Sequence, residues 1–560
     1  MASETWGTEV RQPRLHGILS QPLLWLGLVL LVLAGLLVVP LVIPIGPMYW
    51  DTFLYLDAAH RIASGQVPSV DFSMPVGPLG YYLFAWGLDL FPYAQPLLLA
   101  QWALLAVTAP LMGFVLWDVS RRDRTLSTLL LVPFLVLAIA PSNAQVYHLL
   151  PSFDGFGIYN RHIVVLLYVL LSGLLFLRGG RKLAWFCAAT MLALFLTKIT
   201  GFLVGGLFGV LAILAGRLKW TDVMIAAVVF AVPLVVLEVM TGMISGYLHT
   251  ISELAGNNSE TLLPRFRTVV TNKVDVLLPA ALLGAVLLML DLRNGWGRLL
   301  DSNFAWFAVA MVGGIIFETQ NSGSQEFVFI WPVLALILVR TRNLKGSAKA
   351  AVLVLGAFTI VPTMAVIVSK SVRAAAAGPT YAKADAPLLR NVGQVSARWD
   401  VMERAAMIDA HFSSFRPAYE DLAAQNQLPS YQYFTDIDNQ MQWVLSAESV
   451  VESLIAFEAK NNVRLDSLIT MDFTDPFPWL LDRKPTPHLQ IGADPTRTLG
   501  GLSPETKAAI EATDGVLRAK CPVTWARDDI EAAYADALTG RTVVALNPCW
   551  DVLVRAGILG

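Results

Sequence analysis

From Gln21 to Ser369 the chain alternates long apolar runs with short polar breaks, and that alternation limits the fold more than any other feature. A spanning helix needs roughly 20 apolar residues. By that rule the chain reads as about eleven spans: 22–45, 96–117, 125–141, 162–177, 183–198, 201–216, 221–241, 275–292, 303–318, 325–340 and 348–369. The first run is too long for a signal-peptide core and has no small-residue cleavage site, so it is expected to stay as a helix. Only 15% of the residues are charged, against about 25% in soluble domains. The deficit is local, because ordinary soluble composition returns after Lys370. The expected fold is a polytopic α-helical membrane body over 1–372 followed by a soluble α/β domain over 373–560.

Basic residues set the expected orientation. One set of breaks holds Arg11, Arg14, Arg121, Arg122, Arg124, Arg178, Arg181, Lys182, Arg217, Lys219, Arg293, Arg298, Arg340, Arg342, Lys345 and Lys349. The other set holds Arg61, Arg161, Arg265, Arg267 and Lys273, with Lys198 as a sixth if it is counted there. The positive-inside rule puts the first set, with the N-terminus, in the cytoplasm. The loops 46–95, 142–161 and 242–274 and the C-terminal domain then face outward, which in a bacterial inner membrane is the periplasm. Cys187 lies inside an apolar run and reads as a small apolar residue. Cys521 and Cys549 fall in the outward domain, where an oxidising compartment allows a disulfide; spacing alone leaves a bond and two free thiols equally open. The net charge of −2 gives no reason to expect a nucleic-acid partner.

The first outward loop is the most informative segment. Asp51 follows the first apolar run within a few residues, where a carboxylate is expensive unless it is solvated or functional. From Asp51 to Ala63 the spacing predicts a helix, with Phe53, Leu56, Ala59 and Ile62 on one stripe and Gly65 as its stop. His60 and Arg61 read as solvated. Pro68, Pro75, Gly77 and Pro78 then impose an irregular path.

Trp50-Asp51, Tyr55, Gly65-Gln66-Val67-Pro68, Asp71-Phe72 and the Pro75 to Pro78 stretch, in that order after a first span, resemble the first periplasmic loop of GT-C glycosyltransferases. That superfamily includes the protein O-mannosyltransferases and the bacterial lipid A aminoarabinose transferases. The motif covers about 35 residues, and the many-span layout with an outward C-terminal domain extends the likeness over most of the chain. One departure is Thr52, where many relatives carry Glu; the second acidic role then stays unassigned or passes to Asp57 or Asp71.

The resemblance implies transfer of a sugar from a polyprenyl-phosphate carrier to a hydroxyl on a lipid, glycan or protein acceptor at the bilayer surface. An alcohol is a weak nucleophile and needs a carboxylate to take its proton. Asp51 is the expected base. Asp71 is the second acidic candidate for catalysis, either orienting the acceptor or supporting the base, or equally a cap for a turn before Pro75. Tyr55 is carried over as a substrate-binding residue. Donor phosphate would need cations. Arg161 and His162 stand before a span, where an Arg can fork to phosphate oxygens or simply snorkel. Lys198 lies within LFLTKITGFL, and an intramembrane Lys is functional by default. Arg265 and Arg267 sit in an outer loop expected to hold a short interfacial helix.

Glu318, Gln320, Asn321, Gln325 and Glu326 suit sugar hydroxyls but read first as an ordinary solvated loop. No cofactor is called for: a divalent metal is compatible with the acidic residues, but no HExxH, paired CxxC or Asp-rich loop points to one. The C-terminal part shows helical patterns at 396–424, 440–461, 503–513 and 527–538, with strand-like runs at 467–471, 515–517 and 542–546, an alternation that favours a layered α/β domain. Its aromatic residues, Tyr431, Tyr433 and Phe434 among them, read as core before they read as sugar-stacking surfaces. A flippase and a ligase or polymerase of lipid-linked glycans are the competing readings. The flippase is disfavoured by the lack of paired, interrupted halves.

Overall fold

The computed structural model describes residues 21–559 apart from 259–261, 294–295, 322–326, 426, 428–435 and 522–523. Arg11, Arg14, Gln325, Glu326, Tyr431, Tyr433 and Phe434 lie outside the described residues. Every expected apolar run carries a helix, but the helices are not all long. Five are long and apolar enough to cross a membrane: Pro96–Ser120, Ile158–Phe176, Trp220–Thr241, Val274–Leu292 and Gly346–Thr380. These make the chain a membrane protein. Four more apolar helices are shorter: Pro22–Val38, Arg124–Ile139, Ile199–Leu214 and Val328–Arg340. The count of eleven is therefore not reached by length. The first run shows why: its helix stops at Val38 because Pro40 disfavours helical geometry just before it.

Helix Ile158–Phe176 is the centre of the bundle, with almost every residue buried. Trp220–Thr241 lies at the other extreme, with Val228, Val232, Val235 and Val239 exposed, as expected of a helix facing lipid tails. The basic breaks gather at one end. Arg122 donates to Phe176 O at 2.6 Å, Arg217 donates to Leu175 O at 2.9 Å and pairs with Asp301, and Arg340 pairs with the same Asp301.

At the opposite end, the chain leaving the first helix is woven into the chain leaving the last. Ile43–Pro44 pair in parallel with Val395–Ser396, and Ala382–Lys383 add an antiparallel strand. Beyond this lies a five-stranded sheet in the order 484–485, 467–470, 515–519, 550–554, 542–547. Its alternation is of period two. Leu468, Leu517, Val552 and Val554 join the core that runs on into the helical bundle. Ile469, Val516 and Leu553 face the other way, onto Ile510, Ile530 and Tyr534 of helices Pro504–Ala512 and Trp525–Leu538. Strand 550–554 is an addition to the sequence reading. Its Asp551 breaks the apolar pattern and is matched by Lys520 and Arg518. Cys521 and Cys549 are joined by a disulfide.

Helix Asp51–Ala63 ends as its sequence indicates, with Gly65 at φ +87°. It is not, however, half-solvated. The α/β portion covers it, so Phe53 stacks on Trp443 at 4.4 Å and His60 Nε2 contacts Arg483 O at 2.7 Å. Arg61, expected in solvent, is 1% exposed. Its guanidinium pairs with Asp57 at 2.7 Å and donates to Thr486 O. Burial raises the Asp57 pKa, and Arg61 opposes that rise. Removing one member of a buried pair strands the other, at a cost of about 3–5 kcal/mol. Arg61→Met is therefore expected to lower the melting temperature markedly, with Asp57→Asn/Arg61→Met recovering part of the loss in a double-mutant thermal-denaturation cycle.

Candidate functional site

The site forms where the first apolar helix hands over to helix Asp51–Ala63, at the bundle end opposite the basic breaks. A cleft of about 790 Å³ opens there, and the Asp51 carboxylate is on its wall. Asp51 is the first residue of its helix and only 6% exposed. One carboxylate oxygen accepts the Gly157 N–H at 2.8 Å. Burial raises the Asp51 pKa to about 6, against the opposing pull of that amide and of the nearby Arg161 charge.

The amide reaches Asp51 because the segment 141–157 is pressed onto the first loop. A Cβ at Gly155 would collide with the Met48 carbonyl oxygen and Tyr49 Cα, so only glycine allows the approach. Gly157, at φ +64°, turns the chain into the central helix. Asp154 anchors the same segment: it accepts the Asn143 N–H at 2.7 Å and pairs with Lys370, from the end of the last spanning helix, at 2.5 Å. Burial raises the Asp154 pKa, and the Lys370 ammonium counters it.

Arg161 is placed differently from its expected role on phosphate. It is buried behind the cleft, where it donates to Gln101 Oε1 at 2.6 Å, to Asn143 Oδ1 at 3.0 Å and to Phe156 O at 2.9 Å. These bonds splint the 141–157 segment. His162 is buried too, against Ala100 O at 2.9 Å. Tyr55 packs between Tyr81 and Phe84, one helical turn below Asp51 and away from the cleft wall. Asp71 also stays out of the cleft. Its carboxylate accepts the Val67 N–H at 2.6 Å, a four-residue turn that uses the acid locally.

Lys198 sits in an extended break between helices Arg181–Thr197 and Ile199–Leu214. The Pro-rich loop holds that break through Gly77 N–H to Thr197 O at 2.9 Å. The ammonium lies 4.7 Å from the Tyr159 ring centre and donates to Asn160 Oδ1 at 3.1 Å; Tyr159 itself lines the cleft. The outer loop 242–274 forms two helices, Met243–Asn258 and Leu262–Asn272. In the second, Arg265 is partly buried and Arg267 exposed, while Thr268, Val269, Asn272 and the following Lys273 reach the cleft.

Several lining residues escape sequence reading. Glu318, taken for part of a solvated loop, is 1% exposed and on the cleft wall, because Asn303–Asn321 continues as helix past the apolar run. Asp494, Thr496, Arg497 and Trp525 come from the α/β portion, and only tertiary packing brings them there. Lys370, which holds Asp154 rather than lining the cleft, stands at the edge of an apolar run, a signal that the sequence does carry. Among the described residues no group of three His, Cys, Asp or Glu is placed to hold a metal.

Three solved structures align with most of the chain at low similarity. Across 96% of this chain and 98% of the other, it is similar to ArnT from Cupriavidus metallidurans in the apo state, at 13% identity and a TM-score of 0.42. The same enzyme bound to undecaprenyl phosphate matches at 14% identity over 96% and 99%, with a TM-score of 0.42. The archaeal oligosaccharyltransferase AglB from Archaeoglobus fulgidus, in complex with an inhibitory peptide and a dolichol-phosphate, matches at 9% identity. That match covers 93% of this chain and 72% of that one, with a TM-score of 0.33. No family model and no curated protein matches the chain.

The Arg161 charge holds the Asp51 pKa down, so its removal must raise it. Arg161→Met is expected to destabilise the protein by at least about 2 kcal/mol, since several buried acceptors lose a charged donor. It is also expected to move the acidic limb of any Asp51-dependent activity upward from pH 6. Thermal melts and a pH–rate profile check the two effects.

Proposed function

We propose that this chain is a membrane glycosyltransferase that moves a sugar from a polyprenyl-phosphate donor to a hydroxyl on an envelope lipid, glycan or protein. The observation that carries the reading is the Asp51 carboxylate. It is fixed by the Gly157 amide and nearly buried, yet open to a cleft large enough for a sugar and its acceptor. Donor and acceptor would meet at the end of the bundle away from the basic breaks, which the positive-inside rule makes the periplasmic face of a bacterial inner membrane. The α/β portion would lie on that side, with the N-terminus in the cytoplasm.

In this scheme the acceptor oxygen attacks the anomeric carbon while Asp51 takes the hydroxyl proton. The anomeric C–O bond to phosphate breaks, and its electron pair leaves on the phosphate oxygen. Cations must meet that growing charge. Lys198 and Lys273 approach the cleft from the membrane portion, with Arg265 beside it. Arg267 is more peripheral, Tyr55 and His162 shape the floor behind Asp51, and Arg161 positions the Gly157 amide. A pKa of about 6 suits a general base: ionised at pH 7, yet basic enough to draw a proton.

Asp51→Asn keeps the shape and loses the base. Transfer from a polyprenyl-phosphate sugar by purified protein is expected to fall about 10²–10⁴-fold with the fold retained. The wild-type rate is expected to drop tenfold per pH unit below about 6, as Asp51 protonates. An Asp51→Asn variant as active as wild type would end the reading, as would unchanged envelope glycolipids in a deletion strain analysed by mass spectrometry.

A further inference from the structure

The cleft is lined on the α/β side by a densely hydrogen-bonded turn. Asp494 Oδ1 accepts both the N–H and the hydroxyl of Thr496, at 2.8 and 2.6 Å. Asp494 O accepts the N–H groups of Arg497, Thr498 and Leu499. The Thr498 hydroxyl accepts the Asp494 N–H at 2.8 Å and donates to Gly492 O at 2.5 Å. The turn is also fastened to the first loop. Ser73 N–H donates to Leu489 O at 2.8 Å and Ile491 N–H to Ser73 O at 3.0 Å, a short backbone ladder. Gly492, at φ +66°, rests on Leu54, three residues after Asp51.

This turn presents Arg497 to the cleft. The side chain is 55% exposed, and its ion pair with Asp494 is long at 3.9 Å. The Asp494 carboxylate is already engaged by Thr496. Lys273 lines the same cleft, and Lys198 lies against Tyr159 on its wall. Arg497 is near enough to Lys198 and to Arg265 for their charges to repel one another. Cations from three distant stretches of sequence thus come together at the cleft. Like charges gathered there are stabilised by an anion that meets several of them at once, and a guanidinium matches phosphate oxygens in pairs.

We propose that Arg497 is a donor-binding residue. Together with Lys198 and Lys273 it forms an anion wall that takes the phosphate of the lipid-linked donor, so that the donor is held jointly by the membrane portion and the α/β portion. The proposal rests on the donor reading above and adds that the α/β portion supplies part of the donor site itself.

The test uses the full chain in detergent, titrated with undecaprenyl phosphate and, in a separate arm, with phosphatidylglycerol; thermal stabilisation reports binding. Wild type is expected to bind undecaprenyl phosphate in preference to phosphatidylglycerol. Arg497→Gln is expected to weaken undecaprenyl phosphate binding tenfold or more without changing the ligand-free melting temperature. Arg497→Lys should recover part of that loss, and Arg464→Gln, at an exposed pair with Asp466, should leave binding unchanged. Equal titrations for wild type and Arg497→Gln would overturn the proposal and leave the donor reading intact. Failure of wild type to prefer undecaprenyl phosphate would overturn both.

Discussion

A single backbone amide fixes the carboxylate on which the proposed chemistry rests. Gly157 N–H holds one oxygen of Asp51, and almost everything around the pair serves to keep the two in contact. Gly155 lets the segment 141–157 lie against Met48 and Tyr49. Asp154 and Lys370 tie that segment to the last spanning helix. Arg161 splints it from beneath through Gln101, Asn143 and Phe156. A buried carboxylate would otherwise protonate or turn toward water. Here desolvation pushes its pKa up while the amide and the nearby Arg161 guanidinium pull it back to about 6, leaving a carboxylate that is largely ionised at neutral pH.

The local parts of this arrangement were legible in the sequence. Helix Asp51–Ala63 followed from its spacing and from Gly65, and the α/β strands at 467–470, 515–519 and 542–547 followed from short apolar runs between helical patterns. What the sequence hid was the company each residue keeps. Arg61 has the composition of a surface residue, yet a sheet more than 400 positions away buries it against Thr486. Glu318 looked like the edge of a polar loop because its helix outlasts its apolar run. Arg161 looked like a phosphate ligand because a cation before a span often is one; its partners, Gln101 and Asn143, lie on other elements and carry no local signal.

The composition change near residue 372 marks where apolar runs end, not where packing ends. One face of the five-stranded sheet shares a continuous core with the bundle through Leu468, Leu517 and Val552. The first loop bridges to the second portion through Ser73, opposite Gln490, and the chain after the first helix contributes Ile43–Pro44 to a sheet with Val395–Ser396. The α/β portion therefore forms part of the cleft wall.

That arrangement bears on how many acids the site can use. Of the carboxylates in the first loop, Asp57 is committed to Arg61 and Asp71 to the Val67 amide, while Thr52 stands where a second acid would follow Asp51. Asp494, across the cleft, is committed to Thr496. Asp57 and Asp71 bind within their own loop and do not line the cleft, and Asp494 is held in its turn by Thr496. Asp51 is fixed by the Gly157 amide and by Trp50 and lies on the cleft wall. Among the acids of this loop it alone combines a place on that wall with partial desolvation, and in the proposed reaction these suit it to take a proton from an acceptor hydroxyl.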